Sequence, residues 1–350
     1  MSDWLTSAVA ALHPEAEMAA REHQNQLTKP AGSLGQLEGL AIRLAAMQDT
    51  PHPEINRVAI RIFAADHGVV AEGVSAFPQA VTVEMIRNFA QGGAAVSVLA
   101  QELNADFAVV NMGTAAAAPE PPKVLDYRVG PGTGNFCRQP AMTEPQVHQA
   151  LNAGKQVAEA CRAAGAELFI AGEMGIGNTS SAAALGCALL QLPAEQLAGR
   201  GTGVDDSGLS RKIEAVNRAL ELHQGQLGSP LQILRHLGGF EIAAMTGAYL
   251  RCAQLGMPAL VDGFICSAAA LVAVRINPQA AQWLIFSHQS AEQGHQRLLE
   301  ALAVTPLLAL DMRLGEGSGA AVAVPLIRLA CRLHNRMATF ATAGVSDKAP

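Results

Sequence analysis

A single carboxylate, Glu316, stands between Gly315 and Gly317 at the mouth of the largely apolar run 320–329. Flanking glycines let a ligand lie directly against the backbone, and a helix starting in the apolar run would aim its N-terminal amides back at the same point. This pattern makes Glu316 a candidate catalytic base. It equally suits a carboxylate that only caps a helix, an effect worth a few tenths to about 1 kcal/mol. Gly-Glu-Gly alone does not separate the two.

A second stretch, residues 172–181, reads GEMGIGNTSS and contains Glu173, Gly175, Gly177, Asn178 and Thr179. Glycines between a strand and an alanine-rich helix let backbone N–H groups converge, and the hydroxyls that follow can donate or cap, so the stretch suits a phosphate or carboxylate cradle. It has neither a Walker Gly-Lys-Ser/Thr nor a GxGxxG fingerprint, which removes the dinucleotide reading and leaves a ligand-free turn as the alternative. A third stretch, 199–203 (GRGTG), precedes Asp205, Asp206 and Lys212. Lys212 at a helix start could neutralise a phosphate as a point charge, or be an ordinary surface lysine. The loop 130–135 (GPGTGN) either lines a pocket or turns the chain. Asp66, His67, Glu72, Asp262 and His288 raise the possibility of a metal site, but no HxxH, HExxH or close Asp-x-Asp spacing supports it. Buried Asp and His at strand ends often brace loops by hydrogen bonding instead.

These residues need elements to position them. Apolar, β-branched runs at 58–65, 107–112, 168–171, 259–261 and 283–287 alternate with alanine-rich helical patterns at 81–100, 147–164, 180–190, 213–224 and 239–255. Such alternation predicts βαβ units and a mostly parallel, doubly wound α/β sheet whose strand ends share one edge. That edge receives Asp66 and His67, Gly113 and Thr114, Gly172 and Glu173, Asp262 and Gly263, and Ser287 and His288. The N-terminal region reads as helical: Trp4, Ala8 and Leu12 at helical spacing, then 15–27 after Pro14, then 34–47. Ser33 is the expected N-cap of the last of these, and Lys29 in the preceding break reads as a solvated turn residue or a group that reaches an anion. From about residue 322 to 341 the pattern is helical again, so residues 1–50 plus 322–350 are expected to form a smaller all-helical domain beside a large domain of residues 51–321. The tail 344–350 is expected to be disordered.

Half of the 350 residues are hydrophobic but only 4% are aromatic, so the core must be built from Ala, Val, Leu, Ile and Met, with Gly permitting close packing. A net charge of -6 without a basic cluster argues against nucleic acid as a partner. The six cysteines lack CxxC pairing and suit reduced, buried thiols better than disulfides or zinc. Residues 1–12 do not resemble a signal peptide, and the apolar runs are interrupted before membrane-spanning length. A soluble cytoplasmic protein is expected.

Taken together, the motifs resemble the nicotinate-nucleotide:dimethylbenzimidazole phosphoribosyltransferase family of cobalamin lower-ligand synthesis. The matching stretches are KPAGSLGQL at 29–37, ADHGV at 65–69, EGV at 72–74, GTGN at 132–135, GEMGIGNT at 172–179, GGF at 238–240, DGF at 262–264, SHQSAE at 287–292 and MRLGEGSGA at 312–320. They occur in the family's order and span almost the whole chain. The resemblance implies a Rossmann-like parallel sheet, a small helical domain from both termini, and a homodimer whose partner helps close the site. It implies transfer of the phosphoribosyl group of nicotinate mononucleotide to 5,6-dimethylbenzimidazole, giving α-ribazole 5'-phosphate, nicotinate and a proton, with no cofactor and no metal. Glu316 matches the family's catalytic glutamate and Glu173 a second, supporting one. Gly175, Gly177, Asn178, Thr179, Gly201, Lys212 and Ser290 match the groups that hold the nucleotide and its phosphate, and Phe77, Met85 and Leu314 the benzimidazole pocket.

Two departures bear on specificity. Some members have a serine and a glutamine where this chain has Phe77 and Met85, so an apolar lining with broad acceptor tolerance is expected. The 111–114 edge lacks an acidic residue common in the family. Two other classes compete with the transferase: a metal-dependent phosphohydrolase using Asp66, His67, Asp262 and His288, and a non-catalytic ribazole-binding protein, which gives no reason for a carboxylate at Glu316.

Overall fold

The computed structural model describes residues 3–117, 122–201 and 203–346. After a short 3-10 turn at Asp3–Thr6 come α1 (Pro14–Gln26), α2 (Gln36–Gln48), β1 (Val58–Ala65), a 3-10 turn (Gly68–Glu72), α3 (Ala80–Gln91) and α4 (Ala95–Glu102). The chain continues with β2 (Asp106–Gly113), β3 (Val124–Asp126), α5 (Glu144–Ala163), β4 (Leu168–Met174), α6 (Asn178–Leu190), α7 (Ala194–Leu197), α8 (Asp206–His223), α9 (Pro230–Leu237) and α10 (Phe240–Gln254). It ends with β5 (Ala259–Val261), α11 (Phe264–Ile276), β6 (Leu284–Phe286), β7 (His288–Gln289), α12 (His295–Leu302), β8 (Leu308–Ala309), α13 (Ser318–Arg336) and α14 (Phe340–Ala343).

Six strands form one sheet in the order β3-β2-β1-β4-β5-β6, every pairing parallel, while β7 and β8 make a separate parallel pair. This is the doubly wound Rossmann order, in which the direction of strand addition reverses between β1 and β4 and ligands bind beyond the strands' carboxyl ends. β1 is buried along its whole length, as a central strand covered on both faces must be. Its one charge, Arg61, turns to the Asp106 carboxylate and carbonyl at the start of β2, so the charge is neutralised where the strand leaves the core. On one face α5 and α10 pack so closely that a Cβ on Gly154 would lie 1.7 Å from the Ala244 carbonyl oxygen. Small residues stand in for the missing aromatics by letting backbones meet.

Several expectations are corrected. Residues 7–13 are not helical but run past the end of α10 and Trp283, where Ala10 N–H donates to Ala253 O at 2.9 Å and Trp283 Nε1 donates to Ala10 O at 2.9 Å. Tertiary hydrogen bonds override the helical spacing there. Ser33 does not cap α2: Gly35 occupies the N-cap position, and the Gly32 and Leu34 amides donate to Glu38. Lys29 is neither solvated nor free for an anionic ligand, because its buried ammonium pairs with Glu38 at 2.9 Å. The expected helix 81–100 is two helices separated at Gly92 and Gly93. β4 extends three residues past the expected 171 and so includes Glu173. The expectation had no β3, α9, α11 or α12.

Both ends of the chain meet. Leu27 and Thr339 form an antiparallel bridge, and His334 accepts from Gln24 Nε2 while its Nε2 donates to Pro51 O, each at 2.8 Å. α13 runs through position 322 without a break. Of the expected disordered tail, 344–346 follow α14 and 347–350 lie outside the described residues.

Candidate active site

One cleft opens beyond the carboxyl ends of β4 and β5, with a cavity volume of ≈ 220 Å³. It is lined by every residue that the resemblance assigned to catalysis or substrate binding: Glu173, Gly175, Gly177, Asn178 and Thr179 from β4 and the start of α6; Gly201 and Lys212; Ser290; Phe77 and Met85; and Leu314 and Glu316. The residues, from Phe77 to Glu316, come from stretches far apart in the chain and converge because the parallel sheet delivers its strand ends to one edge.

Glu316 reaches this cleft through an unusual backbone. Gly315, Glu316 and Gly317 all have positive φ, at 82°, 64° and 76°. Three successive left-handed residues make a tight hook, and the non-glycine member carries strain that surrounding contacts must hold. The hook lies flat against β4, since a Cβ on Gly172 would come within 2.5 Å of the Glu316 carbonyl oxygen. Asp262, at the end of β5, fixes the other side by accepting from Gly317 N at 3.2 Å and Ala320 N at 2.8 Å. A carboxylate from another strand thus caps α13, and Glu316 is left free of that duty. No described residue hydrogen-bonds the Glu316 carboxylate, which is 8% exposed and borders the cleft.

Three carboxyl groups therefore share a poorly hydrated corner. Burial, reinforced by the Asp262 charge, pushes Glu316 up to about 7 and Glu173 up to about 8. Burial raises Asp262 as well, against the opposing effects of His288 and of the amides it accepts from. Glu173 accepts from Asn178 Nδ2 and from the Glu316 amide at 3.3 Å, so it is anchored where Glu316 is not.

Other groups lining the same cleft suit an anion. Lys212 is 1% exposed, with Nζ donating to Thr179 Oγ1 at 2.9 Å and Gly199 O at 3.0 Å. Burial lowers it to about 8, so an incoming anion would favour its charged form. α6 and α11 both start at the cleft on glycine N-caps, Gly177 and Gly263, with no side-chain cap, the Asn178 and Ser180 amides of α6 donating to Gly175 O at 3.0 Å and Gly177 O at 3.1 Å. Helix starts beside a lysine have the chemistry to hold a small anion. Ser290 borders the same cleft, its amide donating to His295 Nδ1 at 2.8 Å. Val74, Phe77, Val81, Met85, Ile176 and Leu314 give the cleft an apolar wall, with Phe77 46% and Leu314 51% exposed.

The residues of the metal reading are not brought together. His67 Nε2 and Glu241 Oε1 are 2.6 Å apart in full burial beneath the cradle, and Asp66 accepts from Ala115 N at 2.8 Å. Asp262 and His288 lie at the cleft instead, and among the described residues no three metal-type side chains converge. Sequence reasoning missed the start of α11 and the cleft positions of Arg200, Glu292 and Arg313. Gly263 before the apolar run 264–274 was an available signal for the helix start, of the same kind as Gly177 and Gly317.

A family model described as phosphoribosyltransferase matches residues 9–345. A Pseudomonas putida protein named nicotinate-nucleotide–dimethylbenzimidazole phosphoribosyltransferase is 59% identical over 345 residues, covering 99% of this chain and 98% of the relative. A protein of the same name from Azotobacter vinelandii is 59% identical over 346 residues with the same coverage. The crystal structure of the Thermus thermophilus enzyme of that name superposes with a TM-score of 0.91 at 46% identity, covering 96% of this chain and 100% of the other.

Proposed function

This chain belongs to the nicotinate-nucleotide–dimethylbenzimidazole phosphoribosyltransferase family, and from that premise we propose how its cleft carries out the reaction. The phosphoribosyl group of nicotinate mononucleotide passes to 5,6-dimethylbenzimidazole, giving α-ribazole 5'-phosphate, nicotinate and a proton, a step of cobalamin nucleotide-loop synthesis. The phosphate is held by Lys212, Gly201, Ser290, Thr179 and the amides around Gly175, Gly177 and Asn178. The base lies on the apolar wall of Phe77, Met85 and Leu314. Its N–H proton goes to Glu316 as the other ring nitrogen forms a bond to C1 of the ribose. The C1–N bond to nicotinate breaks with its electron pair passing to the ring nitrogen, which loses its positive charge and needs no acid to leave. Attack opposite the leaving group inverts the β-glycoside to an α-glycoside. Positive charge developing on the ribose is stabilised by the ionised Glu316 carboxylate, and Glu173 supports the site by hydrogen bonding. The steps balance without a metal or cofactor.

The observation that carries this reading is the Glu316 carboxyl group: buried, unbonded by the protein, raised to about 7 and facing an apolar wall. The test is nicotinate release with and without 5,6-dimethylbenzimidazole, in chelator, for wild type and Glu316→Gln. Release that needs the base, survives chelation and drops by orders of magnitude in the variant supports the mechanism. Release independent of the base, or abolished by chelator, points to a hydrolase.

The reading extends to a homodimer, supported by the exposed Phe77 and Leu314 at the cleft mouth, which a second copy would cover; light scattering on the purified protein checks it. A cytoplasmic location fits six free cysteines, and no helix among the described residues is long and apolar enough to cross a membrane. α1, α2, α14 and the end of α13 are the helices from which the small domain of both termini would be built.

A further inference from the structure

Glu72 closes the 3-10 turn after β1, and three donors from elsewhere in the chain hold its carboxylate. Asn135 Nδ2 donates at 2.6 Å and Arg218 Nη2 at 2.7 Å, and Arg138 Nε lies at 3.4 Å. The next residue is tied down as well, with Arg211 Nε donating to the Gly73 carbonyl at 3.1 Å. Arg211 and Arg218 both lie on α8, the helix that sends Lys212 inward to Thr179 and Gly199. Immediately after the tied residues, Val74, Ser75 and Phe77 line the cleft. One helix therefore touches both parts of the site: Lys212 among the groups that suit an anion, Arg211 and Arg218 at the segment leading to the apolar wall.

We propose that Glu72 is a positioning residue for the acceptor: held by Asn135, Arg138 and Arg218, it fixes residues 73–77 against α8, so that the flat base finds its wall already formed beside the bound nucleotide. This rests on the reading above, in which the apolar wall receives the base. The carboxylate side chain is 9% exposed, while Arg138 and Arg218 are 73% and 48% exposed. The arginine contacts are thus open to screening by salt and the Asn135 contact is not. The clamp accounts for two sequence motifs that the chemistry does not use, EGV at 72–74 and GTGN at 132–135, as the two sides of one contact.

The test measures steady-state constants for wild type, Glu72→Gln, Glu72→Ala and Arg218→Met, with the thermal midpoint of each, and titrates 5,6-dimethylbenzimidazole onto each protein by its fluorescence. For Glu72→Gln the KM for 5,6-dimethylbenzimidazole should rise at least tenfold, with kcat and the KM for nicotinate mononucleotide within about twofold. Glu72→Ala should be more severe. Arg218→Met should move the same constant less, because Asn135 and Arg138 remain, and it stands in if the Glu72 variants fail to fold. An unchanged KM and affinity for the base, or an equal rise in both KM values, overturns the proposal. If wild type releases no nicotinate in the same assay but still binds the base, the reading of the reaction has failed and the base titration decides the clamp by itself.

Discussion

The backbone amide of Glu316 donates to Oε1 of Glu173 at 3.3 Å, across 143 positions of sequence. The free carboxylate of the site is thus placed by the anchored one. Because Glu173 is the penultimate residue of β4, and Gly175 follows directly after that strand ends, the proposed base and the proposed phosphate cradle share one rigid support.

Gly172→Ala tests that support. The added carbon would sit 2.5 Å from the Glu316 carbonyl oxygen and 2.5 Å from Ile62 Cδ1, so the hook must shift. Overpacking of this kind costs about 1–3 kcal/mol. We expect a lower thermal midpoint and a kcat reduced well beyond any change in KM for the nucleotide. An unchanged kcat in a destabilised variant would show that β4 does not set the base's position.

Glu316 acts as a base only when ionised, and its value is raised to about 7. At saturating nicotinate mononucleotide, kcat/KM for the acceptor should rise with pH, with unit slope below about 7, and level off above it. Glu316→Gln should remove this limb and lower kcat by roughly 10²–10⁴, the usual contribution of a positioned base. A flat profile in wild type from pH 5.5 to 8.5 would remove Glu316 from the role.

Glu173 carries the opposite cost. Its folded value is raised to about 8, above the ordinary carboxyl value of 4.5. Between these values the unfolded chain ionises while the folded protein keeps the proton, so stability falls as pH rises from 4.5 to about 8 and stays low beyond. The penalty is on the order of a few kcal/mol. Glu173→Gln should therefore raise the thermal midpoint little at pH 5 and more at pH 8.5, at the expense of activity. A gain that does not change with pH would contradict the burial argument.

The acceptor wall offers Phe77 and Met85 and few donors. Such a wall senses area more than hydrogen-bonding pattern, and one methylene is worth only about 1–3 kcal/mol in discrimination. Unsubstituted benzimidazole lacks two methyl groups, and against a wall whose Phe77 and Leu314 are half exposed each should count near the low end of that range, so kcat/KM should stay within about a hundredfold of the dimethylated base. A strict preference for the dimethylated base, measured by competition, would show that contacts beyond this wall select it.

The sequence by itself determined the parallel sheet, the glycine cradle and Glu316, because these depend on local properties. Apolar runs bounded by Gly and Asp mark buried strands, and glycine pairs mark backbone that side chains would obstruct. β1 and β5 came out at their observed bounds for that reason. Local signals misled where distant partners decided the outcome. Trp4, Ala8 and Leu12 are spaced like a helix, yet this segment is held by hydrogen bonds reaching residues 152, 253 and 283. Lys29 looked solvated until Glu38 folded over it. The raised carboxyl groups, the capping of α13 by Asp262 and the Glu72 clamp likewise exist only in three dimensions. Burial and Coulomb interactions are set by neighbours in space, and here those neighbours range from nine positions away, for Lys29 and Glu38, to more than a hundred.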